Sequence, residues 1–253
     1  MVVNNLVQRA PVKREQLNAW LEQQSPQQVV RWAVDVFGPG LAMTTSFGLS
    51  GVALICMLQE VTRDVPLVFV DTGYLFEETL ETKRRIEAAY GLKVLTWRPR
   101  LSIEAQARQY GPNLHACQPD LCCALRKVEP MHRAMVELGP IAVMNGRTRS
   151  QSETRRNLPL VEWEQTPVRI NPLAAWTRRQ VEGYVRMHGA PHNPLHEVGF
   201  LSVGCRPCTR AVREGEHVRA GRWAGLGKTE CGLWTTNYAA PDAPRMYIKG
   251  GEK

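Results

Sequence analysis

Short apolar runs alternate with amphipathic stretches along most of the chain. Four runs rich in Val, Leu and Phe predict strands, at residues 40–46, 66–72, 92–97 and 140–146. Four stretches with helical periodicity predict helices, at residues 51–61, 77–90, about 120–138 and 177–189. Because helices separate the successive strands, we expect an α/β fold with a doubly wound, mostly parallel sheet.

The two ends of the chain differ from this central pattern. Residues 13–24 and 26–37 have the pattern of amphipathic helices. Beyond about residue 200 the alternation stops, and Gly, Arg and Pro dominate. We therefore predict three parts. N-terminal helices that pack on the core occupy residues 1–38, and a central α/β domain occupies residues 39–210. A C-terminal segment that ends in a mobile tail occupies residues 211–253.

The composition is that of an ordinary globular protein. Hydrophobic residues make up 43% and charged residues 22% of the 253 positions. The longest apolar run, residues 52–58, is far shorter than the roughly 20 residues that a membrane span needs. The first residues lack the apolar segment of a secretory signal, so we expect a cytoplasmic protein with no membrane partner.

Glycine-containing loops follow the first two predicted strands. Residues 44–51 connect a strand to a helix, and residues 70–79 do so after the next strand. The first loop alone is compatible with a tight structural connection, and it lacks the Gly-Lys-Ser/Thr ending of a Walker A loop. Two such loops at the carboxyl ends of neighbouring parallel strands predict a crevice that binds a nucleotide.

The chain has a net charge of +8 at pH 7. A charge of this size is compatible with binding either a nucleic acid or a small polyanion. Four arginines follow the last predicted strand within eleven residues: Arg147, Arg149, Arg155 and Arg156. A solvated loop is one interpretation, but the position at a strand end favours a clamp for phosphate or sulfate. Arg219 and Arg222 are three residues apart, so they share one face of a helix if one forms.

Seven cysteines are too many to ignore in a reducing compartment. Cys205 and Cys208 form a C-x-x-C pair, and Cys122 and Cys123 form an adjacent pair. Four thiolates can hold zinc or a [4Fe–4S] cluster, and the spacing leaves both open. A redox dithiol at the C-x-x-C pair is a third alternative.

The three remaining cysteines differ in their surroundings. Cys56 lies in an apolar run and suits a small buried hydrophobic residue, and Cys117 has no partner at ligand spacing. Cys231 stands in a polar context beside Gly232, near the end of the chain. It is either a nucleophile on a flexible arm or an incidental surface thiol, and the residues alone favour neither.

In combination, these motifs resemble the assimilatory phosphosulfate reductases, which reduce adenosine 5′-phosphosulfate (APS) or its 3′-phosphorylated form (PAPS) to sulfite. The resemblance covers residues 40–235 and rests on TSFG, VDTGYLFEET, CCALRKVEP, GRTRSQSETRR, NPL..W, GCRPCTR, GEHVRAGRW and KTECGL. It implies a Rossmann-like fold of the adenine nucleotide alpha hydrolase kind. It also implies cysteine biosynthesis as the context and thioredoxin or glutaredoxin as the reductant.

The resemblance also implies roles for individual residues. The paired cysteines would hold one [4Fe–4S] cluster, as in the subclass associated with APS: Cys122, Cys123, Cys205 and Cys208. Cys231 would be the nucleophile and would form an S-sulfocysteine, and Lys127 would link cluster and substrate electrostatically. The remaining residues would bind the nucleotide and its phosphosulfate: Ser46, Phe47, Gly48, Asp71, Thr72, Gly73, Arg147, Arg155, Arg219 and Arg222.

Two positions depart from the family pattern. The loop 46–51 lacks the acidic residues that cluster-containing members carry after the glycine, so it would tolerate the 3′-phosphate of PAPS. Trp234 stands where the family usually has His, and an indole cannot transfer a proton in that place. The alternative function is therefore a PAPS reductase or an enzyme that accepts both substrates.

Two other classes of protein share some of these features. An ATP pyrophosphatase-type enzyme would carry an SGGxDS loop, which the SFGLSG of residues 46–51 does not match. A zinc-stapled nucleic-acid-binding protein would explain the charge and four cysteines, but the aromatic residues are not interleaved with the basic runs. We expect no nucleic-acid partner, and the sequence leaves homo-oligomer formation open.

Overall fold

Six short strands form one sheet in the computed structural model, which describes residues 11–233. The strands are β1 (Leu41–Thr44), β2 (Leu67–Val70), β3 (Val94–Trp97), β4 (Ala142–Asn145), β5 (Val161–Glu162) and β6 (Val168–Ile170). Their order across the sheet is β3-β2-β1-β4-β6-β5. The parallel pairs β1–β2, β1–β4 and β4–β6 and the antiparallel pair β5–β6 confirm the predicted mostly parallel sheet.

Nine α-helices lie within the described residues 11–233. They are α1 (Pro11–Leu21), α2 (Pro26–Phe37), α3 (Leu49–Gln59), α4 (Glu77–Tyr90), α5 (Ile103–Tyr110), α6 (Leu114–Cys117), α7 (Pro119–Cys123), α8 (Glu129–Leu138) and α9 (Arg178–Met187). The helix predicted around 120–138 is α7 and α8, joined by a π-helical turn at Ala124–Val128. A π turn places one more residue in the turn than an α-helix does, and such turns are frequent at functional sites.

The sequence signals account for the core and for several element boundaries. All four residues of β1, β2 and β4 are buried, and so are Val52–Leu58 of α3. Burial on both sides is what a parallel sheet covered by helices requires. At the start of α2, the N-cap residue Ser25 and Gln28 of the first turn form a reciprocal capping box, with Pro26 as the first helical residue.

The strand order reverses between β1 and β4, since the chain runs outward from β1 through β2 to β3 before it returns to β4. In open α/β sheets, ligands bind outside the carboxyl ends of the strands at such a reversal. The topology therefore predicts that a ligand binds at the loops that follow β1 and β4.

The chain divides into two compact units. Within the described residues, unit 1 comprises 11–68, 82–94 and 140–192, and unit 2 comprises 69–81, 95–139 and 193–233. Each unit is assembled from stretches that are far apart in sequence. The three consecutive segments expected from the sequence are a different partition and stay a prediction. Along the described part of the chain, no helix combines the length and the apolar character that crossing a membrane requires.

Candidate functional site

In unit 1, the loop after β1 presents the beginning of helix α3. Gly48 caps α3 without any side-chain hydrogen bond, so no capping side chain occupies the N–H groups of the first turn. The preceding Phe47 is buried and has φ +56°, in the left-handed region that side chains seldom adopt. Its N–H donates to the Thr45 hydroxyl at 3.0 Å, while Ser46 is exposed. An uncapped helix start behind a strained turn is an arrangement suited to an anion.

The loop after β4 touches this helix start at Gly146. A Cβ at this position would lie 2.8 Å from the carbonyl carbon of Ser50 and 2.9 Å from the nitrogen of Gly51. Both neighbours are backbone atoms of α3 that cannot move aside cheaply. Glycine at 146 therefore lets the loops after β1 and β4 meet where the strand order reverses.

Gln151 connects the arginine loop to the same place. Its amide nitrogen donates to the Ser50 hydroxyl and to the Gly146 carbonyl, each at 3.2 Å. Its amide oxygen accepts a hydrogen bond from the Arg155 guanidinium. The structure thus brings the predicted residue Arg155 to the helix start through an intermediate that the sequence analysis missed, because a glutamine among arginines carries no signal of its own.

Arg147 has a different environment from Arg155. It is buried, donates to the side-chain oxygens of Asn145 (2.9 Å) and Asn171 (3.1 Å), and forms an ion pair with Glu162. Burial lowers the pKa of Arg147 to about 10, and the Glu162 carboxylate opposes that change. These contacts fix the guanidinium inside unit 1, and its role toward a substrate stays a prediction.

In unit 2, the four paired cysteines line one small cavity. Cys122 and Cys123 belong to α7, and Cys205 and Cys208 flank a short 3₁₀ turn. The other residues that surround the cavity include Tyr74, His115, Arg126 and Lys127. Among the residues that the structure describes, no three His, Cys, Asp or Glu side chains converge as they would around a single metal ion.

Burial controls the protonation of these thiols. It raises the pKa of Cys122 to about 12, and the neighbouring thiols Cys123 and Cys205 add to the effect. It raises the pKa of Cys123 to about 11 against the opposing charge of Lys127, and it raises the pKa of Cys208 too. Without a positively charged bound group, the thiols of Cys122, Cys123 and Cys208 stay protonated near neutral pH.

The residues after β2 lie at this cavity. The Thr72 hydroxyl is 3.3 Å from Cys205 Sγ, and the Thr72 carbonyl accepts from Arg126 Nε at 2.6 Å. Gly73 has φ +75°, and a Cβ there would lie 2.9 Å from the Arg126 guanidinium. Asp71 accepts from the Gly73 N–H and from Arg98 Nε, both at 3.0 Å. The structure thus shows contact of Thr72 with Cys205, and the nucleotide-binding role that the resemblance implies for residues 71–73 stays a prediction.

Four cations surround the ring of Trp223, a residue that is buried and has φ +48°. They lie between 4.5 and 5.9 Å from a ring centroid of the indole: Lys127, Arg219, Arg222 and Lys228. An aromatic face attracts a cation without neutralising it. Three of the four were predicted site residues, whereas Lys228 and the role of Trp223 were not foreseen.

Lys127 lies in the π-helical turn between α7 and α8 and is buried. Burial by itself would lower the pKa of Lys127, but the nearby cysteines Cys205, Cys231 and Cys123 raise it above its ordinary value. The ammonium group is therefore charged and electrostatically coupled to the cysteines, and its expected link between cluster and substrate stays a prediction.

Cys231 occupies a separate place in unit 2. It is partly exposed and lines an open cleft of about 330 Å³ together with Asp120, Ala124 and Val128. The cleft is bounded on its other side by residues 226–232, which carry the thiol. Cys231 thus lines this cleft and not the cavity of the paired cysteines, although its charge acts on Cys123. Trp234, where the family pattern has His, lies outside the described residues.

The chain matches the family model of the phosphoadenosine phosphosulfate reductase domain over residues 40–211. An adenosine 5′-phosphosulfate reductase of Deinococcus radiodurans is 48% identical over 213 residues, which cover 83% of this chain and 81% of that protein. A phosphoadenosine 5′-phosphosulfate reductase of Gloeobacter violaceus is 40% identical, with coverage of 87% and 92%. The crystal structure of a phosphoadenylyl-sulfate reductase from Candida auris in a phosphate complex is 36% identical, with a TM-score of 0.71 and coverage of 81% and 98%.

Proposed function

Because the chain belongs to the phosphoadenosine phosphosulfate reductase family, we propose that it reduces APS to sulfite and AMP in sulfate assimilation. The observation that carries this proposal is the division of the cysteines in unit 2. One thiol, Cys231, lines an open cleft, while the four paired cysteines line a different, small cavity in which Cys122, Cys123 and Cys205 are buried. A nucleophile must be accessible to a substrate and to a reductant, whereas the ligands of a structural group need not be.

The reaction proceeds in two steps at Cys231. Its thiolate attacks the sulfur of APS, the sulfur–oxygen bond to the phosphate breaks, and AMP leaves with the electron pair. The enzyme is left as an S-sulfocysteine. A dithiol reductant then attacks Cys231 Sγ, sulfite leaves, and the second thiol of the reductant resolves the mixed disulfide. The dithiol loses two electrons and the sulfur of the substrate gains them.

Positive charge supports the first step, because the substrate and the transition state are both polyanionic. Within unit 2, the cations around Trp223 supply that charge, and Arg219 donates to the Thr229 carbonyl two residues before Cys231, at 2.7 Å. Within unit 1, the uncapped start of α3 and Arg155 form the part that suits a phosphate. In this proposal Ser46, Phe47 and Gly48 lie at the nucleotide.

We also propose that the four paired cysteines hold a [4Fe–4S] cluster. The cavity is lined by all four thiols, and four cysteine thiolates are the ligand set of such a cluster. Because structural zinc can also take four thiolates, the preference for the cluster rests on the resemblance to the cluster-containing subclass. When bound, the cluster would keep the thiols ionised and cross-link the stretches that carry them. Lys127 would couple this charge to the substrate, and no step requires electrons from the cluster.

The reductant in this proposal is a thioredoxin or a glutaredoxin, since the second step needs a small dithiol protein that can reach Cys231. The cytoplasm is the proposed location, because it supplies such reductants and keeps seven thiols reduced.

The decisive experiment measures sulfite release by the anaerobically purified protein with thioredoxin, given APS and PAPS in parallel. We expect release from APS. Preferential use of PAPS would favour the second candidate function, a PAPS reductase. The absence of acidic residues in loop 46–51 is the observation that supports this candidate. Absence of sulfite from both substrates would contradict the proposal.

The cluster has its own test, independent of turnover. Cys205→Ser should lose the brown absorption and nearly all bound iron and acid-labile sulfide, whereas Cys56→Ser, a buried cysteine of unit 1, should keep them. Zinc without acid-labile sulfide in the unaltered protein would overturn the cluster proposal.

A further inference from the structure

Two side chains outside the predicted site join the Cys231 segment to helix α7. Lys228, three residues before Cys231, forms an ion pair with Asp120, two residues before the first cysteine of α7. The Lys228 side chain is only 9% exposed, whereas that of Asp120 is 76% exposed. The pair therefore joins a nearly buried cation of the segment to an accessible carboxylate at the edge of the cleft.

The same segment has a second anchor at Arg219. Its guanidinium donates to the Thr229 carbonyl at 2.7 Å and lies 3.4 Å from a Glu230 carboxylate oxygen. The three residues before Cys231 are thus all held by side-chain contacts, and the next residue, Gly232, has φ +86°. Both anchors are polar contacts rather than core packing, so the segment can be released without disrupting the apolar core of unit 2.

We propose that Asp120 is a positioning residue for Cys231, which acts through Lys228 to keep residues 226–232 closed over the cleft. The inference rests on the proposed function, because that reaction requires Cys231 first at a substrate and then at a protein reductant. Breaking the pair favours the open position. It therefore slows the sulfonation of Cys231 and does not slow the attack of the reductant.

The first test needs no substrate and follows the alkylation of Cys231 by iodoacetamide, read by peptide mass spectrometry on the full-length holoprotein. The exposed thiol of Cys117 serves as an internal reference. Asp120→Asn and Lys228→Gln should both accelerate alkylation of Cys231, by about two- to fivefold for a partly exposed ion pair. Asp120→Glu should restore the original rate.

The two substitutions separate positioning from simple electrostatics. Removing a negative charge near a thiol favours the reactive thiolate, and removing a positive charge disfavours it. A purely electrostatic role would therefore move the two rates in opposite directions. Opposite directions, or no change in either variant, would overturn the proposal.

The second test measures the half-reactions. With APS and no reductant, Asp120→Asn should form S-sulfocysteine about two- to fivefold more slowly than the unaltered protein, while sulfite release on addition of thioredoxin keeps its rate or rises. The exposed Glu214 offers a matched control in the same unit, and Glu214→Gln should change neither step. An equal loss in both half-reactions would contradict positioning. Failure of the unaltered protein to form the adduct would instead contradict the proposed function.

Discussion

The arginine loop of unit 1 and the cations around Trp223 in unit 2 use positive charge in different ways. Three arginines of the loop form ion pairs with carboxylates: Arg147 with Glu162, Arg149 with Glu22 and Arg156 with Glu153. In unit 2, Arg219 and Lys228 are also paired with carboxylates. Lys127 and Arg222, in contrast, lie over the ring of Trp223, and no carboxylate of the described residues forms an ion pair with either. A carboxylate neutralises a cation, whereas a ring leaves its charge available. The number of arginines in a stretch of sequence therefore does not indicate how much positive charge is available to bind a substrate.

The largest expected effect concerns Cys231, the residue of unit 2 that forms the covalent intermediate in the proposed mechanism. Cys231→Ser should lower sulfite release by at least about 10⁴-fold, because a hydroxyl cannot replace the thiolate, while binding of AMP is retained. Cys117→Ser, at an exposed thiol of the same unit, should keep full activity. Measurable turnover of Cys231→Ser would remove this residue from the mechanism.

The next effect tests whether Arg147 belongs to the fold of unit 1. Arg147→Met should lower the free energy of unfolding by about 3 kcal/mol, because it leaves the Glu162 carboxylate without its buried partner. Arg155→Met should lower it by less than about 1 kcal/mol but raise the KM for APS about tenfold. Urea unfolding and steady-state kinetics measure both quantities. If Arg147→Met keeps the free energy of unfolding of the unaltered protein and only its KM rises, the structural role given to Arg147 is contradicted.

The smallest of these effects concerns the backbone contact at Gly146. Gly146→Ala should cost about 1–3 kcal/mol of stability, because its Cβ would lie 2.8 Å from backbone atoms of Ser50. Gly183→Ala is the control, since a Cβ there meets nothing within 4 Å and the residue lies inside α9. That substitution should be stabilising by about 0.5–1 kcal/mol. Equal thermal stability of the two variants would show that the close approach between Gly146 and the backbone of α3 is not required for stability.

The periodicity of the sequence predicted β1 to β4 and most of the helices, because each has enough residues to show its pattern. It did not predict β5 and β6, which have two and three residues and are strands only because they pair with each other and with β4. The short helix α5 was also missed. Local patterns identify long elements, whereas such short elements depend on neighbours that are distant in sequence.

The site shows the same limit. The paired cysteines and Cys231 were visible as motifs, because their chemistry depends on residue type and spacing. Other contacts were not visible in this way. Thr72 and Cys205, like Asp120 and Lys228, are more than a hundred positions apart in the sequence. The cations around Trp223 lie near a residue with a left-handed backbone. No spacing rule predicts such contacts from one sequence.

The division of the four cysteines between two stretches of unit 2 has a consequence for biosynthesis. Between Cys123 and Cys205, the ribosome adds 82 residues, which include the last stretch of unit 1. At roughly 5–20 residues per second, this takes on the order of 4–16 s. During that time the first pair has no partners with which to complete the proposed cluster. If the chain holds the proposed cluster, its four ligands are complete only late in synthesis, and iron starvation would leave the full-length chain as apoprotein.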